Sequence, residues 1–308
     1  MNKYELTSNS IESEGKTLFQ IKALRSFDKV KEGDLGGFIE SETNLSQTGN
    51  SWVYGEAQVF GNAQVSGEAQ VFGEAEISGD SQVFDNAWVS GEAQVFDNAL
   101  VFGNSRVSGN AQVFGEAEVS GKAKVSGKAQ VFEEALISGD SQVFDNARVS
   151  GNAQVSGEAR VSGNAQACDN AWVFGKAQVI GNAKVFDNAQ VFDNAWISGD
   201  SQVFDNAWVS GEAQVFDNAL VFEEARVSGK AQVFEEARVY GEAEISGDAQ
   251  VSGKAQVFEE ARVFGETQVY GIAQVSGKAQ VYGIAQVSGK ARVSGEAQVF
   301  GNARIFQQ

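Results

Sequence analysis

From Val53 onward the chain counts in sixes. It opens VYGEAQ, VFGNAQ, VSGEAQ, VFGEAE, ISGDSQ, VFDNAW, and 42 complete hexads run from Val53 to Arg304 without one inserted or missing residue. A repeat this strict constrains the fold more than any single residue does, so it is read first. Position one is Val or Ile in every hexad but one, where Ala167 stands. Position two is Ser or an aromatic, apart from Cys168 and Ile180. Position three is Gly, Asp or Glu, and position four is mostly Asn, Glu, Asp or Lys. Position five is Ala, with Ser81, Ser105, Ser141, Ser201 and Thr267 as small replacements, and position six is usually Gln.

A period of two lies inside the period of six. The Ala of position five and the Val that follows Gln are two apart, so in a strand they point to one side, while Gln and the Ser or Phe point to the other. The pair at positions three and four (Gly-Asn, Asp-Asn, Gly-Glu) is turn chemistry, because Gly and Asn tolerate positive φ. Each hexad therefore reads as one short strand and one corner. A helix is a poor reading, since Gly recurs every six residues and the apolar spacing does not follow 3.6. Strands this short cannot bury a core alone. They can if the chain coils and stacks each strand on one from the previous turn.

The pattern aliphatic, any, any, any, small, any resembles the hexapeptide-repeat family of left-handed parallel β-helices. The resemblance covers about five-sixths of the chain. It implies an all-β, three-sided, left-handed solenoid with 18 residues per coil, hence about 14 coils from the 42 hexads. At a strand spacing of about 4.8 Å such a rod is roughly 65–70 Å long. The hand comes from the family, because the usual crossover rule gives the opposite one. Val would fill the interior as ladders, with Ala near the tight corners.

Residues 1–52 differ and are expected to form a small β-rich cap over the first open coil, leaving 53–308 as the repeat domain. YELTSNSIESEGKTLFQIKALRSF reads as two β segments around a polar turn at ESEGK, and LGGFIE at 35, SETNLS at 41 and QTGNSW at 47 drift into hexad register. The segment GDLGGFIESETNLSQTGNSWVYG is similar to the start of uncharacterised bacterial and phage- or prophage-encoded hexapeptide-repeat proteins. No matching cap is visible at GNARIFQQ, so that open coil is either tolerated or paired, for example with another copy.

The composition narrows function. Hydrophobic residues make up 42%, which excludes low-hydropathy disorder. A formal charge of −18 argues against nucleic acid or anionic membrane as a direct partner. No apolar run is long enough to span a bilayer, and the polar N-terminus lacks a signal-peptide core. One Cys fits a reducing compartment, so the expected location is cytoplasmic. Many hexapeptide-repeat proteins are acyltransferases, with a His as general base, a projecting loop and a helical C-terminal extension. This chain has no His and neither extension. No enzyme activity, catalytic residue or cofactor is expected. The acidic corners alternate with Asn and Lys and include Ile272 and Ile284, which reads as solvated charge and not as a metal ladder. Cys168, beside Ala167, has no His to activate it.

The outward aromatics are the remaining candidates. Counting every third hexad, one face carries Phe60, Phe96, Phe114, Phe132, Phe186, Phe204, Phe222, Tyr240 and Phe258, nine aromatics in 14 coils, against six and seven on the others. Ring-on-ring ladders stabilise adjacent strands, and a large exposed apolar face marks a contact surface; both readings stay open. Ice binding by Thr arrays is weak with five Thr, and Trp52, Trp88, Trp172, Trp196 and Trp208 do not share one face for stacking on sugars. The repeat region holds 33 acidic and 17 basic residues, well below the charge density a duplex mimic needs.

A last feature bears on role. ISGDSQVFDNAWVSGEAQVFDNALVF at 77–102 returns unchanged at 197–222. The offset of 120 is not a multiple of 18, so the copies fall on different faces. A face-specific ligand site would suffer from that shuffling, and a core-driven solenoid would not. The expectation is a non-enzymatic scaffold or spacer that forms a homo-oligomer or polymer or holds a protein partner. An acidic rod occupying a host protein's nucleic-acid groove is the alternative.

Overall fold

A computed structural model describes residues 2–308. The fold is all-β, a parallel β-solenoid built of three sheets. Among the described residues the single helical element is one 3-10 turn, Glu42–Asn44. Positions six and one of each hexad form a two-residue strand, as in Gln190–Val191 and Trp208–Val209. Equivalent strands pair in parallel 18 residues apart, with Gln190 opposite Trp208 and Val191 opposite Val209. The chain divides into two compact units, Met1–Gly151 and Asn152–Gln308.

The second unit shows the repeat in its plainest form. Each coil bonds to the next through three backbone N–H groups per side. The Gln190 N–H donates to Ala207 O (2.9 Å), the Phe192 N–H to Val209 O (3.0 Å) and the Asn194 N–H to Gly211 O (2.8 Å). Val at position one and Ala at position five have no solvent exposure through nearly the whole unit. Each buried Val contributes roughly 1.5–3 kcal/mol relative to an exposed one. Ala167 sits in this ladder, fully buried, two methyl groups short of its neighbour Val185.

The corner turns at position three, whose φ is positive at every hexad. Gly takes this conformation without cost. A Cβ on Gly199 would lie 2.7 Å from the Asp217 backbone N one coil on, so the corners are tight as well as left-handed. Twelve hexads nonetheless place Asp or Glu there, Asp205 (φ 57°) and Glu235 (φ 60°) among them. Their carboxylates accept the position-three N–H of the next coil: Glu223 N–H to Asp205 Oδ2 at 3.1 Å, Gly211 N–H to Asp193 Oδ2 at 3.2 Å, and in the first unit Gly103 N–H to Asp85 Oδ2 at 3.3 Å. The acid turns the closest approach at the corner into a charge-assisted hydrogen bond. Of the two residue types expected to tolerate positive φ at the corner, Gly takes it and Asn does not. Asn at position four keeps ordinary φ, and the Asp before it bears the left-handed turn.

The first unit starts with a cap. Strands β1 (Tyr4–Ser13) and β2 (Lys16–Ala23) form an antiparallel hairpin around Glu14-Gly15, both at positive φ. Strand β3 (Leu35–Ile39) pairs antiparallel with β2 and parallel with Gln58–Val59, so it joins the hairpin to the solenoid. Coiling thus begins before Val53. Ile39 pairs with Val59 and Leu45 with Val65, an offset of 20, whereas Trp52 pairs with Gln70, an offset of 18. The two extra residues of that first coil therefore lie within 46–52. Tyr4, Phe27 and Trp52 pack edge to face beneath the hairpin, at 6.1 and 5.4 Å. Lys3 is buried with them. Its Nζ donates to Ser51 O (2.9 Å) and Ser51 Oγ (3.2 Å) and lies 5.4 Å from the Phe27 ring centre. Burial, helped by Arg25, pushes the Lys3 ammonium down to about 8.

Candidate interaction surfaces

In-register stacking of 18-residue coils converts each outward sequence position into a column. Position two therefore builds columns of rings. In the first unit Phe96, Phe114 and Phe132 stack at 4.8 and 5.0 Å, nearly parallel. In the second unit Phe186, Phe204, Phe222, Tyr240 and Phe258 form a five-ring stack at 4.9–5.0 Å. All of these side chains are half-buried, their faces covered by one another and their edges toward solvent. Eight of the nine face residues are accounted for in this way. Phe60 is the correction: it is 2% exposed, packed with Leu18 and Phe38 under the hairpin, and offers no contact surface. The other sides carry shorter stacks, Tyr54–Phe72–Trp88 and Phe84–Phe102 in the first unit, Phe216–Phe234 and Phe264–Tyr282–Phe300 in the second.

Position six lies alongside and builds polar columns. Gln214, Gln232, Gln250, Gln268 and Gln286 pass an amide hydrogen bond from coil to coil at 3.1–3.4 Å. Trp takes this position at 88, 172, 196 and 208 and is 37–46% exposed. Arg one coil later lies over the ring at two of them, Arg106 on Trp88 (5.9 Å) and Arg226 on Trp208 (5.7 Å).

The corners form shallow grooves whose walls are mostly carboxylates. One of about 610 Å³ in the second unit runs past Asp200, Asp217, Asn218, Glu235 and Glu236, with Lys254 at its end. One of about 550 Å³ in the first unit runs past Asp80, Asp97, Glu116, Glu133 and Glu134. Among the described residues no group of three or more acidic, His or Cys side chains is arranged to hold a metal ion. Cys168 is half-buried, and burial, followed by the Asp169 carboxylate, pushes its thiol up to about 12. At neutral pH it is a thiol, the unreactive form. No helix among the described residues is long and apolar enough to cross a membrane.

Two functional groups escape a reading by repeat because they lie outside it. Glu40 clasps the cap, its Oε2 accepting from Lys16 Nζ (2.8 Å) and from the Gly61 N–H (2.7 Å), contacts that hold its carboxyl below the usual range. Asn44 donates from Nδ2 to Gly61 O and Ala63 O, binding the first coil to the second.

A family model described as the YdcK beta solenoid repeat matches residues 93–109, 141–157 and 153–169. Those matches cover a small part of the chain and agree with a repeat β-solenoid. No curated protein matches it.

Proposed function

We propose that the chain is a non-enzymatic scaffold that associates with copies of itself through its outward aromatic columns. The observation that carries this reading is the five-ring stack from Phe186 to Phe258, whose edges stay in contact with solvent along five successive coils. Continuous rows of ring edges on a monomer's surface are the material of protein contacts. The Val ladder supplies rigidity, and the acidic corners supply solubility. A setting in the cytoplasm, and an origin in a phage or prophage genome, belong to the same proposal, the latter on the similarity of residues 33–55.

The test is mass and shape in solution, by light scattering with negative-stain microscopy across concentration and salt. Phe186, Phe204 and Phe222 replaced together by Ser should weaken assembly while leaving the β circular dichroism signal intact. A wild-type chain that stays monomeric at every concentration, or a triple variant that assembles equally, overturns the reading. The carboxylate-lined corner grooves favour a second one, a basic protein held in place of nucleic acid. That reading requires binding that DNA competes away and salt abolishes.

A further inference from the structure

The position-two columns have gaps, and one gap has the shape of a missing ring. In the second unit Phe234, Ser252 and Tyr270 occupy successive places in one column, the strands before them pairing Val233 with Val251 and Val251 with Val269. The backbone is regular through the gap, with the Ser252 N–H donating to Val269 O at 2.9 Å. Only the side chain is lacking. Rings one coil apart stack at 4.9–5.0 Å elsewhere in this unit, so Phe234 and Tyr270, two coils apart, leave room for one more. On the Tyr270 side of Ser252 lies a notch of about 380 Å³ walled by Ser252, Gln250, Gln268, Tyr270 and Glu235, and Tyr270 is 40% exposed beside it.

The first unit has a second gap of the same kind, with charged side chains beside it. Phe60, Ser78 and Phe96 are likewise successive in their column, with Val59 opposite Ile77 and Ile77 opposite Val95. There a groove of about 480 Å³ is lined by Phe60 and Ser78 together with Glu40 and Lys16 of the hairpin. The Lys16 Nζ lies 5.7 Å from the Phe60 ring centre and 2.8 Å from the Glu40 carboxylate, and Ser78 is buried. A cation thus sits on the column ring, balanced by a carboxylate. The Ser252 gap likewise has a ring beside it, Tyr270, and a carboxylate, Glu235, one oxygen of which accepts the Gly253 N–H.

We propose that the Ser252 notch binds an aromatic side chain presented by a partner polypeptide next to a basic residue. The partner's ring completes the stack between Phe234 and Tyr270, and its cation lies against Glu235 and the adjoining acidic groove. Base- and ring-stacking on exposed aromatics is tolerant of the ring's identity, whereas the acidic surroundings select the sign of the neighbouring charge. The site is a recognition point independent of self-assembly, because it needs one vacancy and not a continuous ring column.

The test uses the full chain and three synthetic peptides, Lys-Lys-Trp-Lys-Lys, Lys-Lys-Ala-Lys-Lys and Glu-Glu-Trp-Glu-Glu, followed by calorimetry at two salt concentrations with light scattering as a control for assembly. The first peptide should bind at least ten-fold more tightly than either of the others. Ser252→Phe fills the notch from within; it should remove that advantage while the thermal midpoint stays unchanged or rises. Equal binding of the Trp and Ala peptides overturns the proposal, since general attraction to an acidic surface then suffices. So does a Ser252→Phe chain that binds the Trp peptide like the wild type. Neither result depends on whether the chain assembles.

Discussion

Replacing Asp205 by Ala and, separately, by Gly divides the two jobs its position performs. The residue holds φ at 57°, and its Oδ2 accepts the Glu223 N–H at 3.1 Å, while its own N–H reaches Asp187 Oδ2 at 3.4 Å. A hydrogen bond to a charged group contributes about 1.5–3 kcal/mol when buried, and at this half-exposed corner about 1 kcal/mol is the appropriate figure. Both variants lose it. Ala also keeps a Cβ in the left-handed region without the local hydrogen bonding that makes Asp tolerable there, which costs about 1 kcal/mol more. Gly removes the Cβ strain but adds unfolded-state entropy of about 0.5–1 kcal/mol, so the two changes nearly cancel. The expected order is wild type, then Gly about 1 kcal/mol lower, then Ala about 2 kcal/mol lower. Long repeat arrays open locally, so the assay is hydrogen exchange at the Glu223 amide and not a global melt. About 2 kcal/mol corresponds to roughly 30-fold faster exchange in the Ala variant. Unchanged protection of Glu223, or an Ala variant at least as protected as the Gly variant, refutes the idea that the acid is a corner fastener.

Two further outcomes follow from buried polar groups. Lys3 has a folded-state pKa near 8 against 10.5 when free, so between those values the unfolded chain binds more protons and stability rises with pH. The gain is about 3 kcal/mol at about 1.4 kcal/mol per unit. Urea midpoints followed by Trp52 fluorescence should therefore increase from pH 7 to 10. The rise should vanish in Lys3→Met, and the range stops at 10 because burial raises the Tyr4 hydroxyl and its ionisation in the unfolded chain then works the other way. Ser105 and Ser81 make a matched pair at position five. Ser81 Oγ donates to Ser78 O at 2.7 Å, whereas Ser105 Oγ is buried without a hydrogen-bond partner among the described residues. Ser105→Ala should stabilise by about 1 kcal/mol and Ser81→Ala should cost about as much, measured as local exchange in each coil.

How far the sequence was legible depends on which residues the period governs. Val at one and Ala at five follow a two-residue alternation that any strand imposes, and both are buried as the pattern requires. The outward sense of position two was also readable, and counting every third hexad already put Phe204 beside Phe222 with ring-on-ring ladders as one of two open readings; the stacking at 4.9 Å in that register is what the structure adds. Phe60 misled because it has the repeat's letters but lies where the cap closes over the first coils. The acids at position three looked like ordinary turn residues. Their bond runs to an N–H 18 residues on, and the available hint was that Asp is always followed by Asn and Glu by Glu at these corners. Lys3 and Glu40 gave no periodic signal at all.

The long duplication acquires a physical reason from the same register. At 26 residues the copied block is longer than one coil, so it contains position-two rings that stack on each other. Phe84 and Phe102 stack at 4.9 Å in the first copy, and Phe204 and Phe222 at 4.9 Å in the second, though the two pairs lie in different sheets. The ring pair travels with the block and needs no particular face to receive it. Trp88 and Trp208, which also correspond, each meet an Arg one coil later at 5.9 and 5.7 Å, although Arg106 and Arg226 lie outside the copied segment. Their new neighbours therefore supplied equivalent contacts at two unrelated places. A block that brings its own stacking pair, set into a core that is alike on three sides, can be inserted at any multiple of six without loss of packing. What such copying preserves is the column, while the face on which the column lies is exchanged.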